Sequence, residues 1–141
     1  MNIIGYGENK EQLQALIDDS NLKNIALISG ENVELNYMEA GFYCMTSYFE
    51  GLPMVLIEAQ SFGLPSIAFD IFTGPSEILD ESTGILIKDS DLEAYADAIY
   101  KLISDPELRK KMSISALQAS SRFSKEMVVG KWIDELEKIT S

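Results

Sequence analysis

Two glutamates with seven residues between them, Glu50 and Glu58, bracket Gly51-Leu52-Pro53 in the run Ser47-Tyr48-Phe49-Glu50-Gly51-Leu52-Pro53-Met54-Val55-Leu56-Ile57-Glu58-Ala59. The run follows an apolar stretch that reads as a strand, so it falls where open α/β sheets bind ligands. Pro53 suits the first position of a helix, which makes Leu52 its N-cap. Leucine has no acceptor, so the amides of Met54 and Val55 are left without a side-chain partner. Gly51 adds a place where backbone can approach a ligand closely. An uncapped helix start beside a glycine attracts anions, although water can satisfy the same amides. Met54 to Ile57 is apolar all round and implies burial, yet Glu58 follows on the face shared by Val55, Ala59 and Phe62. A buried carboxylate needs hydrogen-bond donors, and sugar hydroxyls would supply them. At a helix edge Glu58 would instead reach water. Glu50 sits in the loop ahead of the same helix. Two carboxylates and a row of amides suit a ligand rich in hydroxyls and phosphate.

Charge constrains that ligand. The 141 residues carry 23 acidic and 11 basic side chains, a net charge of −12. Between Lys23 and Lys88 there is no Lys or Arg, against nine Asp and Glu. Helix starts at Pro53 and Pro75 offer about 0.3–2 kcal/mol each to an anion, so a diphosphate would need basic groups from elsewhere. The same charge argues against nucleic acid as a partner, because phosphate neutralisation needs clustered Lys and Arg. Histidine is absent and cysteine occurs once. That excludes Ser-His-Asp and Cys-His nucleophilic sites and the usual Cys/His zinc sites. No Asp-x-Asp pair lies near the crevice, so no metal is expected. Cys44 has no partner within the chain for a disulfide, which fits a reducing, cytoplasmic setting. No apolar stretch approaches the roughly 20 residues of a membrane span, and no signal sequence opens the chain.

The elements that must position these residues alternate. Met1 to Gly5 reads as a strand, followed by a helix capped by Asn9 with Leu13, Leu16 and Ile17 on one face. Strand signals recur at Asn24–Ser29, Gly41–Thr46, Pro65–Phe69 and Gly84–Ile87, with helical stretches around Leu35–Glu39, Pro53–Phe62 and after Pro75. This order predicts a doubly wound, Rossmann-like α/β domain with a parallel sheet and helices on both faces. The final third reads as helical. Leu92, Tyr95, Ala96, Ile99, Leu102 and Ile103 form one stripe, and Asp105-Pro106-Glu107 is a helix start. Val129, Trp132, Leu136 and Ile139 form a docking face, which packs on this domain or on something the chain lacks. With 46% hydrophobic residues the length suits one packed domain.

The glutamate pair around Gly-Leu-Pro resembles the signature of the group 1 family of retaining, nucleotide-sugar-dependent glycosyltransferases. Gly74-Pro75-Ser76-Glu77-Ile78, Thr83 to Ile87, the Asp105-Pro106 start, Ile3-Ile4-Gly5-Tyr6-Gly7 and Ile28-Ser29-Gly30 resemble the family pattern as well, so the likeness covers nearly the whole chain. The resemblance implies a two-domain GT-B enzyme, with residues 1–141 forming most of its C-terminal, donor-binding domain. It implies a hydroxyl acceptor for the sugar: a glycan, a lipid-linked glycan or a small molecule. Glu50 would contact the donor sugar near the reacting centre and Glu58 the ribose hydroxyls. Ser47, Gly51, Leu52, Met54 and Val55 would face the sugar and diphosphate, and the loop from Gly30 to Val33 the nucleobase. Against the family pattern the chain lacks the acceptor domain and the first strand and helix of the donor domain, with their Arg and Lys. It is therefore expected to be a fragment that transfers nothing alone. Any peripheral attachment to the inner membrane face would come from the missing half.

Two other classes compete. A dinucleotide-binding oxidoreductase domain would use Gly5-Tyr6-Gly7 and Glu31, but its third glycine falls at Lys10. A non-catalytic interaction module is the other. A response-regulator-like module lacks the acidic pair expected at the first strand.

Overall fold

The computed structural model describes residues 1–30 and 32–140. Strands and helices alternate as β1 (Asn2–Ile4), α1 (Lys10–Asp19), β2 (Ala26–Ile28), α2 (Val33–Glu39), β3 (Tyr43–Met45), α3 (Met54–Ser61), β4 (Ser66–Asp70), α4 (Pro75–Ile78) and β5 (Gly84–Lys88). Three helices follow, α5 (Leu92–Ser104), α6 (Pro106–Ser120) and, after a 3₁₀ turn at Ser121–Phe123, α7 (Lys125–Thr140). Every strand pairing is parallel, in two ladders of order β1-β2 and β3-β4-β5. The chain forms two compact units, Met1–Glu39 and Ala40–Ser141. Among the described residues no helix is long and apolar enough to cross a membrane.

In the first unit Ile3 pairs with Leu27 and Ile4 with Ile28. Ile17 and Tyr37 are buried, whereas Leu13 and Leu16 stay exposed. Two three-residue strands cover too little area for the whole expected face. Asn9 occupies the N-cap position of α1 but its side chain makes no capping bond. Its backbone (φ −83°, ψ 4°) is near-helical, outside the extended geometry that turns a cap side chain toward the free amides.

The second unit carries the larger core, split by the period-2 alternation of its strands. Ile67 and Phe69 of β4, with Cys44, Ile85 and Ile87, face α5 and α6 through Tyr95, Ala98, Leu102 and Met112. Ala68, with Tyr43, Met45 and Leu86, faces α3 and α4 through Leu56 and Ile78. Helices therefore cover both faces of this sheet, as the alternating order predicts. The Tyr95 ring lies 4.9 Å from Phe69, and its hydroxyl donates to the Ile67 carbonyl at 3.0 Å and is shared with that of Met45 at 3.2 Å. That bond ties the end of β3 to α5 just before the loop that carries Glu50.

The helical third departs from its expected faces in two places. On α5 the buried stripe is Tyr95, Ala98 and Leu102, while Leu92, Ala96 and Ile103 are exposed. The helix turns toward Ala94 and Ala98, whose small side chains allow close approach to the sheet. On α7 nothing is buried. Trp132 is 67% exposed, so most of its ring is left uncovered. The start of α6 is as expected, with the Asp105 carboxylate accepting from the Leu108 amide at 2.9 Å.

Candidate functional site

The loop from Thr46 to Pro53 leaves the carboxyl end of β3 and enters α3. Pro53 is the N-cap of α3 (φ −72°, ψ 89°) rather than its first helical residue, and no side chain caps the helix. Leu52 thus stands one position outside the cap. Burial explains the shift, because Pro53 is sealed in the core with its ring against the backbone of Gly74, which holds it extended. The consequence for the amides is unchanged: proline offers no acceptor. Leu56 N–H closes a tight turn onto the Pro53 carbonyl at 2.9 Å, leaving Met54 and Val55 at the open end.

Around this opening Ser47, Glu50 and Val55 are half-buried, and Gly51, Leu52, Met54 and Glu58 are exposed. A Cβ on Gly51 would meet nothing within 4 Å, so open space lies beside that backbone. Of the two readings of Glu58, the exposed helix edge is the one observed. α3 seals Leu56, Ala59 and Gln60 inside, one stripe at helical spacing, and Glu58 lies off that stripe, exposed. The polar side chain that α3 does bury is Gln60, whose amide nitrogen donates to the Ile78 carbonyl at 3.0 Å. Burial of the whole apolar stretch is overturned, since Met54 is 55% exposed.

Both glutamates act electrostatically on Tyr43 of β3. Burial pushes that phenol above its ordinary pKa, and the negative charges of Glu58 and then, after Cys44, Glu50 raise it further. Gly30 and Val33 belong to the first unit, at the end of β2 and the first position of α2, both exposed. Glu31 lies outside the described residues. Between β1 and α1 of that unit a cavity of about 360 Å³ is lined by Gly5, Tyr6, Gly7 and Lys10.

Sequence reasoning missed the second loop of the site. Thr73, between β4 and α4, donates from its hydroxyl to the Glu50 carbonyl at 2.5 Å. Gly74 has φ +101°, and a Cβ there would come 2.6 Å from Pro53 Cδ and 2.9 Å from the Gly51 carbonyl oxygen. A glycine before a proline signals a turn, but nothing in the spacing shows which loop it meets.

Comparison with known proteins adds independent findings. The family described as "Glycosyl transferases group 1" matches residues 1–119. The amylovoran biosynthesis glycosyltransferase AmsD of Erwinia amylovora is 38% identical over 136 residues, covering 95% of this chain and 38% of that protein. Among solved structures, TarM superposes with a TM-score of 0.85 at 29% identity, covering 94% of this chain and 28% of that one. The pneumococcal O-GlcNAc transferase GtfA, solved in complex with UDP and GlcNAc, gives 0.83 at 26% identity over 99% of this chain and 29% of its own. The chain thus spans well under half the length of these relatives.

Proposed function

Since the chain belongs to the group 1 glycosyl transferases, we propose that it forms the donor-binding part of a longer, retaining enzyme that moves a sugar from a nucleotide diphosphate sugar to a hydroxyl acceptor. Nothing in the relatives' names favours the oxidoreductase alternative. The observation that carries the reading is the start of α3, which no side chain caps, with Glu50 in the loop just ahead of it and Glu58 exposed on the helix itself. In this reading Glu50 accepts hydrogen bonds from donor-sugar hydroxyls, and its negative charge favours the positive anomeric carbon that develops as the diphosphate leaves. Glu58, exposed on α3, takes the ribose hydroxyls. Amides from Gly51 to Val55 face the diphosphate, with Ser47, Leu52 and Met54 at the rim. GtfA's complex with UDP and GlcNAc supports a nucleotide sugar as donor.

Helix-start amides, with cations from the rest of the longer protein, hold the diphosphate without a metal. The acceptor is a glycan or a lipid-linked glycan, and the enzyme works in the cytoplasm, peripherally at the inner membrane face. The test is Glu50→Gln in the full-length protein. Loss of the charge should lower kcat/KM by roughly 100-fold, about 2.7 kcal/mol of transition-state stabilisation. A change below about threefold in a folded variant removes Glu50 from the reaction.

A further inference from the structure

Thr73 and Gly74 are consecutive residues of the β4–α4 loop, and together they grip the run Glu50 to Pro53 in the β3–α3 loop. The Thr73 hydroxyl reaches the Glu50 carbonyl across 23 residues of sequence. Gly74 closes so tightly on Gly51 and Pro53 that no Cβ fits between. The far end of α4 is tied as well. Gln60 of α3 and Arg122 of the 3₁₀ turn both donate to the Ile78 carbonyl, and Arg122 also to that of Glu77 at 3.2 Å. Thr73 therefore projects from a short element held at both ends.

A planar peptide unit carries the Glu50 carbonyl and the Gly51 amide on one rigid plate. A bond to that carbonyl sets the direction of the Gly51 N–H and, through the adjoining α-carbon, of the Glu50 side chain. We propose that Thr73 is a positioning residue for sugar transfer, aiming the Glu50 carboxylate and the Gly51 amide at the donor without touching it. The proposal rests on the transferase reading above. A displacement of about 1 Å at a reacting group can cost on the order of 100-fold in rate, so the bond should act on turnover more than on donor binding.

The experiment compares Thr73→Val, which keeps the shape and removes the donor, with Thr73→Ser, which keeps the donor, in the full-length protein. Thr73→Val should lower kcat by about tenfold or more with donor KM within about twofold, and Thr73→Ser should stay close to wild type. Hydrogen–deuterium exchange supplies a readout independent of activity. Amides in the segment 49–56 should exchange faster in Thr73→Val and recover in Thr73→Ser, with protection of β4 and β5 unchanged as the fold control. Thr73→Ala repeats the test without a second methyl should the valine disturb packing. Turnover at the wild-type level in Thr73→Val, unchanged exchange in that segment, or a Thr73→Ser variant as impaired as Thr73→Val overturns the proposal. A wild-type protein that transfers sugar while Thr73→Val matches it condemns Thr73 alone. A wild-type protein that transfers from no nucleotide sugar takes the functional reading and this one down together.

Discussion

At the level of single residues, Glu58 is where the proposed reading separates donor binding from chemistry. Its carboxylate is exposed on α3 and, on the proposed reading, accepts from ribose hydroxyls. A charge-assisted bond of that kind is worth about 1.5–3 kcal/mol. Glu58→Ala should therefore weaken the nucleoside diphosphate itself by roughly tenfold or more, measured by calorimetry. Equal affinity in both proteins removes Glu58 from the site. Asp80 offers a stability test away from the crevice. Hydrogen bonds from Ser82 hold its pKa below the ordinary 3.8 against slight desolvation, with further bonds from Thr83. A carboxyl depressed in the folded state stabilises above its unfolded pKa and loses that contribution as pH falls through the folded value. Asp80→Ala should melt below wild type at pH 7, and the gap should close as pH drops under 3.8. A gap unchanged down to pH 2 would assign it to something other than ionisation. The glutamate pair was legible because its spacing around Gly-Leu-Pro resembles a family signature. The sequence left Glu58 open between burial and an exposed helix edge, because an apolar run says nothing of which stripe faces the sheet; Gln60 took the buried place and Glu58 the edge. Thr73 was invisible, since its bond joins loops 23 residues apart and leaves no periodic trace.

Among the elements, one-turn α4 depends on contacts more than on its own hydrogen bonds. Gly74 is where those contacts are tightest. Gly74→Ala adds a Cβ 2.6 Å from Pro53 Cδ at φ +101°, and strain of this kind costs about 1–3 kcal/mol. The expected result is a lower unfolding midpoint and faster hydrogen exchange in both loops. A variant as stable as wild type would mean that the two loops separate freely. The start of α6 behaves differently, because its cap is local. Asp105→Ala removes the acceptor of the Leu108 amide and should cost about 1 kcal/mol, read from urea unfolding. Elements of this local kind were legible: Asp105-Pro106-Glu107 needs no knowledge of the rest of the chain. Asn9 shows the limit of that reasoning. It has the right residue type for a cap, but its near-helical backbone turns the side chain away. Pro53 shows the same limit one residue along, since packing against Gly74 rather than local preference decides where α3 begins.

For the molecule as a whole, the alternation of strand and helix was legible because β4 is a nearly continuous buried run bounded by the helix stop at Gly63 and the helix start at Pro75. The division into two ladders was not, because strand partners are chosen by contacts far apart in sequence. Net charge was legible completely, and it carries the last prediction. The chain bears −12 overall and no basic side chain between Lys23 and Lys88, the span that holds both glutamates and the open start of α3. A nucleoside diphosphate approaching that start meets a favourable dipole worth about 0.3–2 kcal/mol inside a repulsive field. The charge-assisted bonds from Arg or Lys that make diphosphate sites tight are absent from that span. The 141-residue chain alone should therefore bind nucleotide sugars with Kd near 1 mM or weaker, about −4 kcal/mol, and transfer no sugar. Salt gives the sign of the dominant force. At low ionic strength the repulsion reaches about 30 Å, and at physiological salt about 8 Å. Screening should therefore tighten the weak binding as salt rises, the reverse of what a cationic clamp gives. Titration calorimetry with UDP-, GDP- and ADP-sugars at low and physiological salt measures both quantities. A micromolar Kd that weakens with salt would show that cations within the chain hold the diphosphate, and with it the proposal that they come from the rest of the longer protein would fall.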